Sequence, residues 1–253
     1  MPVATLSANA SVFETSALSL FMKQIPLALL WNTRPSLDSF VVGSNGLVLA
    51  HLQQVAHSRS LPATPTYLWG ASGSGKTHLL LAVRDALQAQ GMSIGWLDAT
   101  TPCDSRPVEF DDHWHAVLLD DVDRFDAAQQ HTAFNWFVHA LAPADGKPRW
   151  VLAAGQLPVA DMPVREDLRT RLGWGQALAL HPLSDAEVKQ ALQRAAQQRG
   201  LTLGDEVVAY MQTRFARNTG SLMTLLRLLD DYALQTGRAI TIPLIRQMLE
   251  EES

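Results

Sequence analysis

The 253-residue sequence predicts an α/β fold: a parallel sheet flanked by helices, followed by a small all-α lid. Three observations predict it. Short β-type runs alternate with helical ones as far as about residue 182, a glycine-rich phosphate-loop pattern lies between the first of these runs and the next helix, and no strand pattern follows Pro182. Such alternation implies parallel strands whose crossovers lay helices on both faces. In order, TYLW (66–69) reads as a strand, and HLLLAVRDALQ (78–88) as a helix stopped by Gly91. IGWLD (94–98) and AVLLD (116–120) are strands, AAQQHTAFNWFVHAL (127–141) is a helix, and WVLAA (150–154) is a fourth strand. A short helix over REDLRTRL (165–172) and a strand ALAL (177–180) complete the alternation. Beyond it, Ser184 and Glu187 form a capping box for a helix with Val188, Ala191, Leu192 and Ala195 on its apolar face, ended by Gly200. Two further helices present Val207, Val208, Met211 and Phe215, then Leu222, Leu225, Leu226 and Leu229, and Pro243 opens a last one.

Composition narrows the function. The chain is 47% apolar and 18% charged, with a net charge of −5, which suits a globular protein and gives no encouragement to a large nucleic-acid footprint. No window reaches the roughly 18 consecutive apolar residues of a membrane span, and the N-terminus lacks a signal-peptide pattern, so a cytoplasmic location is expected. The single cysteine, Cys103, can form neither an internal disulfide nor a cysteine zinc site. The eight histidines, His113 and His115 among them, lack a ligand partner set, and the seven tryptophans sit mostly in apolar contexts expected to pack in the core. Residues 1–22, rich in Ser, Ala, Thr and Asn, read as a disordered or spurious leader ending on a methionine that can itself serve as the start. After it comes KQIPLAL, a short apolar peptide within residues 23–30.

The strongest chemical signal is GASGSGKT, Gly70 to Thr77, which fits GxxxxGK followed by Ser or Thr and lies between a strand and a helix as that pattern requires. Gly70, Ser72, Gly73, Ser74 and Gly75 let backbone amides turn inward on a phosphate chain. Lys76 adds a point charge at the β and γ phosphates, Thr77 offers its hydroxyl to Mg²⁺, and the helix N-terminus, with His78 in its first turn, favours the anion. The second signal is AVLLDDVD (116–123), which delivers Asp120 and Asp121 to the carboxyl end of a strand, the edge where α/β sheets bind ligands. Asp120 suits the Mg²⁺ water shell, and Asp121 could orient or deprotonate an attacking water.

With these motifs the sequence resembles the AAA+ ATPases, and within them the DnaA/Hda family of replication proteins. The likeness runs from about Gln24 to the C-terminus. It includes DSFVVGSN (38–45), like the family's adenine-walling segment with Val42 and Gly43, and RTRLGWG (169–175), like its arginine-finger box, with the finger on Arg171. HPLSDAEVKQAL and ITIPLIRQML resemble the opening and close of the family's lid. The resemblance implies an AAA+ nucleotide-binding domain over 31–182, a helical lid over 183–253, and ADP or ATP with Mg²⁺ as cofactors. DnaA itself continues into a helix-turn-helix DNA-binding domain while this sequence ends in the lid, so little direct DNA binding is expected.

The resemblance also gives the opening peptide a role. Hda-like proteins begin with a segment that inserts into a pocket of the DNA polymerase sliding clamp. Here Gln24 would supply amide hydrogen bonds, Leu27 and Leu29 the apolar plugs, and Pro26 an extended backbone. Read without the family, Ile25, Leu27 and Leu30 would simply pack on the domain edge. Two positions depart from the family. Gln156 stands where a polar sensor, usually Asp, follows the fourth strand, and Gly220 stands where the lid normally offers a sensor arginine, with Arg217 a turn away. Losing that donor argues against self-sufficient ATP hydrolysis, because phosphoryl transfer needs charge neutralised on the transferred group. The expected function is therefore negative regulation of replication initiation, by docking on the clamp and stimulating hydrolysis of DnaA-bound ATP. A stand-alone ATPase of the DnaC or Orc type and a DnaA-like loading adaptor without clamp contact remain open, as does homo-oligomerisation.

Overall fold

A computed structural model describes residues 35–58, 60–103, 108–143, 145–215 and 219–251. Among these, α1 (Gly46–His57), β1 (Thr66–Trp69), α2 (Lys76–Ala89), β2 (Ile94–Leu97) and β3 (Ala116–Leu119) come first. Then follow α3 (Ala127–Leu141), β4 (Trp150–Gly155), α4 (Glu166–Leu172) and β5 (Gln176–Ala179). Helices α5 (Asp185–Gln198), α6 (Asp205–Arg214), α7 (Thr219–Thr236) and α8 (Ile242–Glu251) complete the chain.

The five strands form one parallel sheet in the order β2-β3-β4-β1-β5. Its centre is apolar on both faces, since every residue of β3 and β4 is buried. That is why AVLL and WVLAA read as unbroken apolar runs rather than alternating ones. One face packs Leu68, Leu118, Leu152 and Ala154 against α1 and α2. The other packs Tyr67, Val117, Leu119, Val151 and Ala153 against Trp136 and Phe137 of α3 and Leu168 and Leu172 of α4. Neighbouring residues of β4 thus serve opposite layers, as the two-residue strand period requires. Strand β5 begins one residue earlier than ALAL suggests, because Gln176 N–H donates to Pro65 O (2.9 Å) and draws that residue into register beside Thr66.

Helices α5–α8 bury a separate core of Val188, Leu192, Val208, Met211, Leu225, Leu229, Leu244 and Ile245. The Ser184–Glu187 capping box forms as the sequence predicts: Ser184 N–H donates to Glu187 Oε2 (2.8 Å) and Glu187 N–H to Ser184 Oγ (3.3 Å). A cap of this kind contributes about 1 kcal/mol and fixes where the helix starts. No helix among the described residues is long and apolar enough to cross a membrane.

Helix α1 has no counterpart in the sequence reading, although Val48, Leu49, Leu52, Val55 and Ala56 are buried at helical spacing. The expected cap signal is missing. Asn45 precedes the helix but makes no side-chain cap hydrogen bond. Its amide is used elsewhere: Nδ2 donates to His181 O (2.9 Å), and Oδ1 accepts from His181 N–H (2.8 Å). Through these two bonds the buried Asn45 ties the start of α1 to the segment that leads into the helical lid.

Candidate functional site

The carboxyl ends of β1, β3 and β4 meet at one edge of the sheet, and the phosphate-loop residues occupy it. Gly75 caps α2 at φ +99°, and a Cβ there would stand 2.7 Å from the Phe40 ring, so this position demands glycine on both grounds. Gly73 is also left-handed, and Ser72 is exposed beside it. The first turn of α2 has no acidic residue and no side-chain cap, leaving its amides open to an anion.

Lys76 is buried, and its Nζ donates to Gly70 O (2.8 Å) and Ala71 O (3.1 Å). Burial lowers its pKa, opposed by the charges of Asp121, Asp120 and Asp123. Ser74 Oγ is buried without a hydrogen-bond partner among the described residues. A stranded hydroxyl is costly, and a phosphate oxygen in the loop would satisfy it.

Asp120 is buried at the end of β3, beside the Thr77 side chain and accepting from Asp121 N–H (3.1 Å). Burial raises its pKa, with the Thr77 hydroxyl acting the other way. Among the described residues no three His, Cys, Asp or Glu side chains gather as a metal cluster. One buried carboxylate beside one hydroxyl still fits Mg²⁺, which takes few protein ligands and completes its shell from phosphates and water. A bound cation would also favour the charged carboxylate that burial opposes.

Asp121 is the one non-glycine among the described residues with a left-handed backbone (φ +53°), and its carboxylate accepts from Arg124 Nη1 at 3.2 Å. Gly155 ends β4, and Gln156, the next residue, is tethered through its backbone N–H to Asp123 Oδ1 (2.9 Å). Tyr67 donates its hydroxyl to Leu157 O (2.6 Å) and pins the same turn. Neither Asp123 nor Tyr67 was picked out by motif.

Val42 packs half-buried on the core, and Gly43, at φ +49°, lies against Leu183 and Glu187 of the lid. His78 turns its ring away from the loop, with Nε2 on Ser36 O (3.0 Å) and the ring 5.7 Å from Phe40. A phosphate is therefore left its backbone N–H rather than its imidazole.

Arg171 belongs to a different edge. It precedes β5 by five residues, and β5 starts beside the first residue of β1, whereas Gly70 follows the last. The sheet's length, about 13 Å over four residues, separates the two. Arg171 Cζ lies 4.9 Å from the Phe134 ring and 5.0 Å from the Trp174 ring. Gly220 lies in the first turn of α7 and brings no side chain to any site. Gln24, Leu27, Leu29 and Arg217 lie outside the described residues.

Residues 185–249 match a family model described as Hda, lid domain, and residues 31–99 match the bacterial DnaA ATPase domain. The chain belongs to the Hda-like, DnaA-related AAA+ proteins. This family comprises regulators of replication initiation. The Hda-like chain is 31% identical over 229 residues to an uncharacterized protein of Haemophilus influenzae, covering 90% of this chain and 98% of that one. In fold it is similar to domain III of the Thermotoga maritima replication initiation protein DnaA (TM-score 0.64, 18% identity, 87% of this chain and 97% of that chain). It is also similar to AMPPCP-bound DnaA from Aquifex aeolicus (TM-score 0.62, 20% identity, 81% and 67%). These structural likenesses confirm the predicted fold, a P-loop AAA+ sheet with a helical lid.

Proposed function

We propose that this Hda-like chain binds ADP or ATP with Mg²⁺ at the Gly70–Thr77 loop and docks through Gln24, Leu27 and Leu29 on the sliding clamp. There it presents Arg171 to ATP held by DnaA. Hydrolysis of the partner's ATP then switches initiation off in the cytoplasm. The observation that carries this reading is the position of Arg171, held by two rings at the sheet edge opposite its own phosphate loop. A guanidinium so placed cannot serve a nucleotide in its own chain and suits one in a neighbour's. The chemistry is then split between two chains, DnaA supplying nucleotide, metal and water, and this chain a finger that stabilises charge on the transferred group.

In its own site, Lys76 and the α2 amides would hold the phosphates, and Thr77 and Asp120 would hold the Mg²⁺ that neutralises phosphate charge. Asp121, bonded to Arg124, is the residue left to position a water there. A self-sufficient ATPase is the second reading, favoured by the buried Lys76 and by the buried Asp120 beside Thr77, and disfavoured by Gly220. The 31–182 and 183–253 division would make the lid a separate body hinged at the Asn45–His181 bonds.

Gln24→Ala combined with Leu27→Ala tests the docking. The double variant is expected to lose capture by immobilised clamp while its stability stays within about 1 kcal/mol of wild type, as for residues outside a core. A large stability loss with clamp capture intact would mean that the peptide packs on the domain instead.

A further inference from the structure

Arginines in this protein are commonly held by carboxylates. Arg84, Arg124, Arg149, Arg165 and Arg199 all reach an Asp at 2.6–3.6 Å. Arg171 is different. Among the described residues it has no carboxylate partner and no side-chain hydrogen bond, and what fixes it is the pair of rings at 4.9 and 5.0 Å. The distinction matters chemically. A carboxylate would hold the guanidinium by consuming its in-plane N–H donors and cancelling its charge. A ring face holds the cation through the quadrupole and leaves the planar fork free to grip a phosphate. Arg165 makes the comparison within the same stretch: it lies 5.5 Å from the Phe134 ring, but Asp167 occupies its Nη2 at 2.6 Å.

The local chain is built to project Trp174. Gly173 closes α4, Trp174 N–H donates to Arg171 O (3.1 Å), and Gly175 is pressed against the Pro65 carbonyl so closely that no side chain fits. The indole between these two glycines is 58% exposed, more than core packing would leave a tryptophan. Phe134 comes from α3, beside the buried Ala133, Trp136 and Phe137, and is itself only half-buried.

We infer that Phe134 and Trp174 form an aromatic clamp that preorganises Arg171 for a phosphate group bound to a second protein. They are positioning residues for the proposed reaction, and the inference rests on that reading. With the clamp in place, the rotamer freedom of a long side chain is surrendered on folding rather than at the encounter, so the finger arrives aimed.

The test measures hydrolysis of ATP preloaded on DnaA with DNA-loaded clamp, using full-length wild type, Trp174→Ala, Trp174→Phe, Phe134→Leu and Arg171→Ala. Melting temperature and clamp capture serve as folding controls. Trp174→Ala is expected to lower the maximal stimulated rate by roughly two- to thirtyfold, with the half-saturating concentration little changed and the folding controls intact. Trp174→Phe is expected to restore most of the rate, and Phe134→Leu to resemble Trp174→Ala. A Trp174→Ala protein with the wild-type maximal rate, or one altered only in half-saturation, overturns the clamp provided Arg171→Ala abolishes stimulation. Wild-type stimulation by Arg171→Ala overturns the finger reading itself and takes the clamp with it.

Discussion

Arg171→Ala is expected to remove most of the stimulation of DnaA-bound ATP hydrolysis, a large part of the roughly 10³–10⁵-fold that an arginine finger supplies. Folding, nucleotide binding and clamp capture are expected to survive. The side chain is partly exposed and, among the described residues, held only by two ring faces, contacts worth about 0.5–1 kcal/mol each at such a site. Its charge is absent from its own phosphate site, so loss of that charge cannot weaken nucleotide there. Arg169→Ala is the matched control. It removes a guanidinium two residues away, on a different side of α4 and with no ring contact among the described residues, and is expected to cost far less. Hydrolysis of labelled ATP on DnaA, read beside melting curves for both variants, checks the pair.

Lys76→Ala is expected to abolish nucleotide-dependent stabilisation. For wild type at a ligand concentration a hundredfold above Kd, mass action contributes about 2.7 kcal/mol, or roughly 5–10 °C in melting temperature for a chain of this size. Lys76 Nζ now rests on two loop carbonyls, Gly70 O and Ala71 O. A phosphate offers it a full negative charge in the same buried position, so the gain depends on this one cation. Thermal shift with Mg-ADP and Mg-ATP, run on wild type and variant, reads it. Equal shifts in the two proteins, or none in wild type, would show that the loop does not hold nucleotide through Lys76.

The features legible in the sequence are those whose cause is local. The loop Gly70–Thr77, the buried strands AVLL and WVLAA, the helix over 127–141 and the Ser184–Glu187 box all follow from neighbouring residues or a fixed short period. What escaped was set by distant partners. Asn45 resembles an ordinary cap residue, yet its amide is claimed by His181, 136 positions on, and α1 was passed over with it. Asp123 is one more acid after β3 until Gln156 is seen to donate to it across the sheet edge. Phe134, in the helix expected over 127–141, and Trp174, in the stretch RTRLGWG, acquire a common purpose only when the fold brings both rings to Arg171. His78 shows the converse. The motif places it at the phosphates, whereas packing turns its ring to Ser36 and Phe40.

In the proposed function this chain makes another protein's nucleotide react. The most direct measurement follows labelled ATP preloaded on DnaA, with DNA-loaded clamp present, as wild-type chain is added in increasing amount. Conversion to ADP is expected to require both chain and clamp, while the chain alone with Mg-ATP turns over negligibly. ATP on DnaA decaying at the same rate with and without the chain would contradict it.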